Sequence, residues 1–337
     1  MKYSFIIPIY NRPNEVDELL QSLTTQSLKD FEVIVVEDGS SIPCKDVVSK
    51  YEHYLNVAYY QKPNSGPGKS RNYGVERAQG DYVIILDSDV VLPKGYLQAV
   101  EDELNANPCD AFGGPDCAHP SFTPTQKAIS YAMTSFFTTG GIRGGKKKMD
   151  KFYPRSFNMG VNRNVYNALN GFSEMRFGED IDFSTRIFEN HYTARLFPQA
   201  WVWHKRRTDF RKFFKQVFNS GIARINLTKR HPGTLKLVHT LPAAFTIGCA
   251  LLLLLSLIAL IGGCPHWWAM LIPFALYALL IFADASIQSH SVSVGLRSII
   301  ASYVQLWGYG LGFCIAWWNR CVRKKGEFEA FRNSFYK

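Results

Sequence analysis

Short apolar runs alternate with amphipathic stretches along the N-terminal part of the chain, and each run ends in a polar loop. Tyr3-Ser4-Phe5-Ile6-Ile7-Pro8-Ile9 predicts a buried strand, and the following stretch from about Glu15 to Gln26 places Val16, Leu19, Leu20 and Leu23 on one helical face. Phe31 to Val36 predicts a second strand, Val57 to Gln61 a third, Lys69 to Ala78 a helix, and Asp81 to Leu86 a fourth strand. Strand–helix alternation of this kind builds an α/β fold with a mainly parallel sheet covered by helices on both faces. Far downstream the pattern changes. Residues 241–263 carry no charge and include five consecutive leucines, Leu251 to Leu255.

Ligands bind parallel sheets at the carboxyl ends of the strands. Three polar loops fall there: Tyr10-Asn11-Arg12, Asp38-Gly39-Ser40 and Asp87-Ser88-Asp89. Two carboxylates held at a strand end, as in Asp87-Ser88-Asp89, suit a hard divalent cation that neutralises a diphosphate. An isolated acidic pair is commonly just a solvated loop, so the meaning of this one depends on its company. Gly66-Pro67-Gly68-Lys69-Ser70 ends like a phosphate-binding P-loop, but Pro63 stands where the first glycine is required and has no N–H to offer phosphate.

Taken in order, the motifs resemble the family 2 glycosyltransferases, GT-A fold enzymes that use nucleotide-sugar donors. Ser4 to Arg12 is similar to that family's opening strand, and Val36-Glu37-Asp38-Gly39-Ser40 to its second loop, with Glu37 in place of a commoner Asp. Asn64-Ser65-Gly66-Pro67-Gly68-Lys69-Ser70-Arg71-Asn72-Tyr73-Gly74 resembles its glycine-spacer-Ala-Arg-Asn-x-Gly segment, with Ser70 for Ala. Asn170-Gly171-Phe172-Ser173 and Phe177-Gly178-Glu179-Asp180-Ile181-Asp182-Phe183 resemble its later turn and acidic pair, so the likeness runs from about Lys2 to His204. The resemblance implies that Pro8, Tyr10, Arg12, Asp38, Asn64, Gly68, Arg71 and Asp87 bind the nucleotide sugar. Within that set Asp38 accepts from the base, and Arg71 meets base or diphosphate with its guanidinium fork. It further implies that Asp87, Asp89 and His204 hold Mn2+ or Mg2+, and that Asn158, Met159 and Gly160 form the floor under the acceptor. A lone histidine beside aromatics is equally well a packed residue.

Displacing a nucleoside diphosphate by an acceptor hydroxyl needs a base on the face opposite the leaving group. Asp180 is the expected base, with Glu179 orienting the acceptor or bracing the loop; Asp180 also begins a helix, where an acidic residue caps and meets the dipole favourably. The stretch from Asp116 to Arg155, with its prolines, Gly140-Gly141, Gly144-Gly145 and Lys146-Lys147-Lys148, reads as irregular and as a mobile element on the acceptor side.

Residues 1–230 are thus expected to form the catalytic domain and 231–337 a membrane region. A bilayer core needs about 20 apolar residues as helix. Residues 241–263 meet that length, 266–283 form a slightly short second span, and 298–318 a third apolar segment interrupted by Gln305 and three glycines. Lys and Arg crowd both the segment before the first span and the tail after the third, from Lys205 to Arg230 and from Arg320 to Lys325, which places both flanks in the cytoplasm and calls for an even number of crossings. Two full spans with a re-entrant or interfacial third segment satisfy this; three spans are the alternative. The net charge of +10 then belongs against anionic lipid, and no nucleic-acid partner is expected. Seven scattered cysteines without metal-ligand spacing point to reduced thiols, and the N-terminal apolar run, broken at Pro8, is too short for a signal peptide.

The resulting expectation is a multi-pass protein of the inner or plasma membrane with a cytoplasmic catalytic domain. It is read as an inverting, metal-dependent glycosyltransferase moving sugar from a nucleotide donor, UDP-linked by preference, to a hydroxyl of a lipid-linked or growing glycan. A processive polysaccharide synthase-exporter and a catalytically silent membrane scaffold are the rival classes. Few spans and the lack of Gln-x-x-Arg-Trp argue against the first, and intact carboxylate sites against the second.

Overall fold

A computed structural model describes residues 2–119, 121–140, 152–205, 209–328 and 330; Gly141, Gly144, Gly145, Lys146 to Lys148, Arg206 and Arg207 lie outside the described residues. In chain order the elements are β1 (Tyr3–Ile9), α1 (Pro13–Thr24), β2 (Phe31–Asp38), α2 (Lys45–Ser49), β3 (Val57–Lys62), α3 (Pro67–Val75), β4 (Tyr82–Leu86), β5 (Val90–Val91), α4 (Tyr96–Ala106), β6 (Ala111–Gly113) and β7 (Asp116–Cys117). There follow α5 (Pro124–Thr134), α6 (Phe136–Thr139), β8 (Asn158–Asn162), α7 (Arg163–Ala168), α8 (Glu179–Glu189), β9 (Ala194–Leu196), β10 (Val202–His204), α9 (Phe210–Arg230), α10 (Leu237–Ile261), α11 (Ile272–Ser289) and α12 (Val292–Trp317). The chain divides into two compact units, Met1–His119 with Asp150–Lys205, and Pro120–Met149 with Arg206–Lys337.

The first unit is built on a seven-stranded sheet in the order β3-β2-β1-β4-β8-β6-β9. Strands β3, β2, β1 and β4 run parallel, and only β8 opposes its neighbours. The continuous apolar runs behave as strands covered on both faces: Phe5, Ile6, Ile7, Val33, Val35, Val83, Ile84 and Ile85 are fully buried. One face packs on α1 through Val16, Leu19, Leu20 and Leu23, the residues expected to point inwards, and the other on α3, α7 and α8. Helix α3 lies so close to the sheet that a Cβ at Gly74 would come 2.6 Å from Ile6 Cγ2, which explains glycine there. Because β1 has β2 on one side and β4 on the other, the strand order reverses between β1 and β4. The loops after those two strands therefore open a crevice at the carboxyl edge. A small second sheet, β5-β10-β7, stands just beyond the end of β4.

The second unit is helical. The stretch from Asp116 to Arg155 is not irregular throughout. Thr123 caps α5 in a reciprocal bond pair with Gln126, and Pro124 occupies the first turn. Thr-Pro-x-Gln is a helix-start signal: the proline pre-sets the first helical φ rather than breaking the chain into loop. Among the described residues, three helices are long and apolar enough to cross a membrane: Leu237–Ile261, Trp267–Ser289 and Val292–Val322. The third apolar segment, with its glycines, forms one continuous helix.

Candidate active site

The rim is assembled by strand register. Asp87 leaves the end of β4, and Asp89 directly precedes β5; antiparallel pairing of β10 with β5 sets His204 opposite Val90. The Lys205 N–H donates to the Asp89 carbonyl at 2.9 Å, closing that pairing. The consequence is that one ligand atom each from Asp87, Asp89 and His204 lies within 4.8 Å of the others. Parallel pairing of β10 with β7 brings in Asp116, whose Oδ2 is 3.5 Å from His204 Nδ1 while His204 Nε2 is 3.3 Å from Asp89 Oδ1. The Phe157 ring stacks on the imidazole at 5.0 Å. Two carboxylates and one imidazole form an oxygen-rich set suited to Mn2+ or Mg2+, and Asp116 is placed to hold the imidazole, as carboxylates do behind metal-bound histidines.

Arginines tie this rim to the residues beyond it. Arg12, in the loop after β1, donates from Nη1 to Asp89 Oδ2 at 2.6 Å. Arg71, on the second turn of α3, donates from Nη2 to Asp87 and from Nη1 to Glu179, both at 2.8 Å, with its guanidinium 5.2 Å from the Phe172 ring centre. Burial would strip the charge from Arg71, but Asp87 and Glu179 outweigh it and hold the guanidinium above its ordinary pKa. Burial pushes the Glu179 carboxyl up against the pull of Arg71, and the neighbouring Asp180 charge pushes the same way.

Gly178, at φ +84°, turns the chain into α8, so that successive residues Glu179 and Asp180 meet different arginines. Asp180 Oδ2 accepts from Arg155 Nε at 2.7 Å, and Oδ1 accepts from the Ile181 N–H at 2.8 Å. Burial alone would raise its pKa; Arg155 first and Arg71 second bring it below the ordinary carboxylate range. Asp180 is therefore an ionised carboxylate behind a guanidinium.

The other expected site residues divide into two groups. Pro8 and Tyr10 are half-buried at the end of β1, on the rim. Asp38 is inward-facing: its carboxylate accepts from the Ser65 and Gly66 N–H groups at 2.8 and 2.9 Å and pairs with Lys62, while Asn64 Nδ2 donates to its carbonyl. These bonds fix the loop that starts α3 and so aim Arg71. Gly68 packs over Phe172 and the Glu179 side chain. Asn158, Met159 and Gly160 lie within β8, inside the sheet. Asn158 accepts from Tyr96 and donates to the Ala200 carbonyl, Met159 is fully buried, and Phe112 covers Gly160. Sequence reasoning missed Arg155, Asp116 and Lys62. Each reaches the site through tertiary pairing, and none stands in a motif.

The fold and this rim define a GT-A glycosyltransferase domain, and comparison with known proteins identifies its family. Residues 4–168 match glycosyl transferase family 2, so the chain carries a family 2 glycosyltransferase domain. The poly(ribitol-phosphate) beta-N-acetylglucosaminyltransferase TarS of Staphylococcus aureus is 39% identical over 102 residues, covering 29% of this chain and 18% of that protein. The GalNAc(5)-diNAcBac-PP-undecaprenol beta-1,3-glucosyltransferase of Campylobacter jejuni is 33% identical over 119 residues, 33% of this chain and 37% of that protein. Across eight of the curated relatives it matches, the aligned part of the chain spans between 13% and 37% of their lengths. Among solved structures, a mannosyltransferase of Pyrobaculum calidifontis in complex with GDP-Man and Mn2+ aligns with a TM-score of 0.55 at 18% identity, over 91% of this chain and 87% of that one. That likeness is one of fold.

Proposed function

We propose that the chain is a membrane-anchored, inverting, metal-dependent glycosyltransferase that moves sugar from a nucleotide donor, UDP-linked by preference, to a hydroxyl of a lipid-linked or growing glycan. The observation that carries this reading is that Arg71 ties two charged centres together: Asp87, with Asp89 and His204, on one side, and Glu179, next to Asp180 and its partner Arg155, on the other. The nucleoside lies along Pro8 and Tyr10. Asp87, Asp89 and His204 hold Mn2+ or Mg2+, which supplies positive charge to the donor diphosphate. Arg12 then turns from Asp89 to the diphosphate, and Arg71 stays between Asp87 and Glu179 as a fixed cation beside the leaving group.

For transfer, Arg155 swings away from Asp180 and the acceptor hydroxyl takes its place. Asp180 removes the hydroxyl proton as the oxygen attacks the anomeric carbon. The carbon–oxygen bond to the diphosphate breaks on the opposite face, inverting the centre. Asp38, Asn64 and Gly68 serve by shaping the donor loop, and Asn158, Met159 and Gly160 by supporting the acceptor side from beneath. The acceptor class is carried over from two relatives, one named for a poly(ribitol-phosphate) and one for an undecaprenol-diphosphate glycan. The basic flanks favour catalysis on the cytoplasmic side. Incubating membranes that contain the full chain with a panel of nucleotide sugars, then determining product mass and anomeric configuration by NMR, tests the reading. A product retaining the donor configuration would overturn inversion.

A further inference from the structure

Resting on the membrane reading above, we infer that α5 and α6, though far upstream of α10, are themselves a membrane element: they enter the hydrocarbon beside α11, present Phe136 and Phe137 to lipid chains at their tip, and return without crossing. Residues 128–140 carry no charge, so the segment brings no ion into the bilayer. Contacts along α11 set its course. Tyr131 packs with Ile281 and Ala285, and its hydroxyl donates to Asp284 Oδ2 at 2.6 Å. Further on, the Phe137 carbonyl accepts from the Tyr277 hydroxyl at 3.2 Å. From Asp284 to Tyr277 is about two helical turns back along α11, towards the end that joins α10 at the hairpin tip. The chain then returns: a Cβ at Gly140, where φ is +61°, would come 3.0 Å from Val238 Cγ2, in the first turn of α10 at the other end of the hairpin.

The break between α5 and α6 gives an independent reason. Non-helical backbone at hydrocarbon depth is tolerated only where its polar groups find partners within the protein. Ser135 stands at the break with extended backbone, and its groups are satisfied locally. Its N–H donates to the Tyr131 carbonyl at 2.8 Å, its carbonyl accepts from the Thr139 N–H at 3.0 Å, and its Oγ accepts from the Phe137 N–H at 3.2 Å. The hydroxyls turn inwards as well. Thr134 donates to the Ser130 carbonyl at 2.9 Å, Thr138 to the Ala132 carbonyl at 2.6 Å, and Thr139 to the Ser135 carbonyl at 2.9 Å. The two phenyl rings point the other way: Phe136 is 69% exposed and Phe137 42%, packed edge to face on each other. Exposed rings over internally bonded hydroxyls are the reverse of what water favours.

What covers the rings follows from their neighbours. Leu276 and Leu280 flank Tyr277 on α11 and are exposed, so the rings adjoin the apolar face that the hairpin offers to hydrocarbon. The rest of α5 is already covered: Ala128, Ile129, Ala132 and Met133 are buried with Phe213 and Val217 of α9 and with Val294 and Ala301 of α12. Asp284 agrees with this placement. It is the single acidic side chain between residues 237 and 322, and the Tyr131 hydroxyl and the Gln288 amide both bond its carboxylate, the kind of partnering that a carboxylate within a membrane helix requires.

Photocrosslinking reads the contact without any sugar transfer. The full chain is reconstituted in vesicles of phosphatidylethanolamine and phosphatidylglycerol with benzoylphenylalanine in place of one exposed residue at a time: Phe136, Leu254 on α10, or Tyr54 in the first unit. Because Phe136 is exposed, its replacement leaves the packing intact. After irradiation, adducts are located by mass spectrometry. The proposal expects phospholipid joined through its acyl chains at positions 136 and 254, and none at 54. Acyl adducts at 254 with none at 136 overturn this inference and leave the membrane reading standing; none at either overturns the membrane reading and this inference with it. Adducts at 136 to lipid headgroups alone, or to a second copy of the chain, would put the rings outside the hydrocarbon and overturn the inference, as would acyl adducts at 54 in equal yield.

Discussion

Asp180 and its guanidinium partner are where the chemistry is most exposed to test. Asp180→Asn keeps the shape but cannot take a proton, so donor affinity should stay within about twofold while turnover falls by about 10²–10⁴-fold. An equal loss of both would mark Asp180 as a helix cap instead. Arg155 is what holds the Asp180 carboxyl below its ordinary range against burial, so Arg155→Gln should raise that pKa. In the free enzyme, rate is then lost at a higher pH on acidification, and the acid limb of the kcat/KM–pH profile moves upward; an unmoved limb would separate Arg155 from the base. At the other centre, Asp89→Ala removes a ligand and the partner of Arg12 together. Mn2+ affinity measured calorimetrically should drop at least tenfold, as about 1.4 kcal/mol of lost interaction requires; unchanged Mn2+ binding would contradict the assignment of Asp89.

Elements place these residues, and element packing sets how far the sequence could be read. Gly74 lets α3 lie against β1 and β2, so Gly74→Ala should destabilise the first unit by about 1–3 kcal/mol through overpacking, seen as a lower thermal midpoint of the purified protein. An unchanged midpoint would mean that α3 can shift, and with it Arg71. The strands were legible because buried parallel strands are written as unbroken apolar runs, and α1 because its four apolar residues recur at helical spacing. The rim was legible in the same way, since strand ends and the acidic and Arg-Asn motifs mark it directly. What could not be read is what tertiary register creates: the three short strands β5, β7 and β10, which bring Asp116 to His204, are too brief to show a pattern. Arg155 follows a proline in a stretch without motif, and only the fold carries it to Asp180. The resemblance implies that Asp38 accepts from the base, whereas its carboxylate accepts from the loop that starts α3, a use no spacing reveals.

Across the protein as a whole, catalysis and membrane attachment are proposed as parts of one design, with the acceptor hydroxyl delivered from the lipid phase. Removing residues from Leu237 onward deletes α10, α11 and α12. This exposes Phe213, Val217, Ile222 and Ile225 of α9, so the truncated chain should need detergent to stay dispersed even without its hairpin. Gel filtration checks this: a monodisperse detergent-free species would mean that α9 does not depend on α12. Metal-supported sugar transfer with Asp180 as base comes down to one assay, nucleoside diphosphate release from purified full-length protein in lipid nanodiscs, supplied with a panel of nucleotide sugars and an extract of lipid-linked glycans. One donor should be turned over with Mn2+ or Mg2+, turnover should cease in chelator, and Asp180→Asn should cut it by about 10²–10⁴-fold with donor still bound. Release that persists in chelator, or full release by Asp180→Asn, would contradict this mechanism.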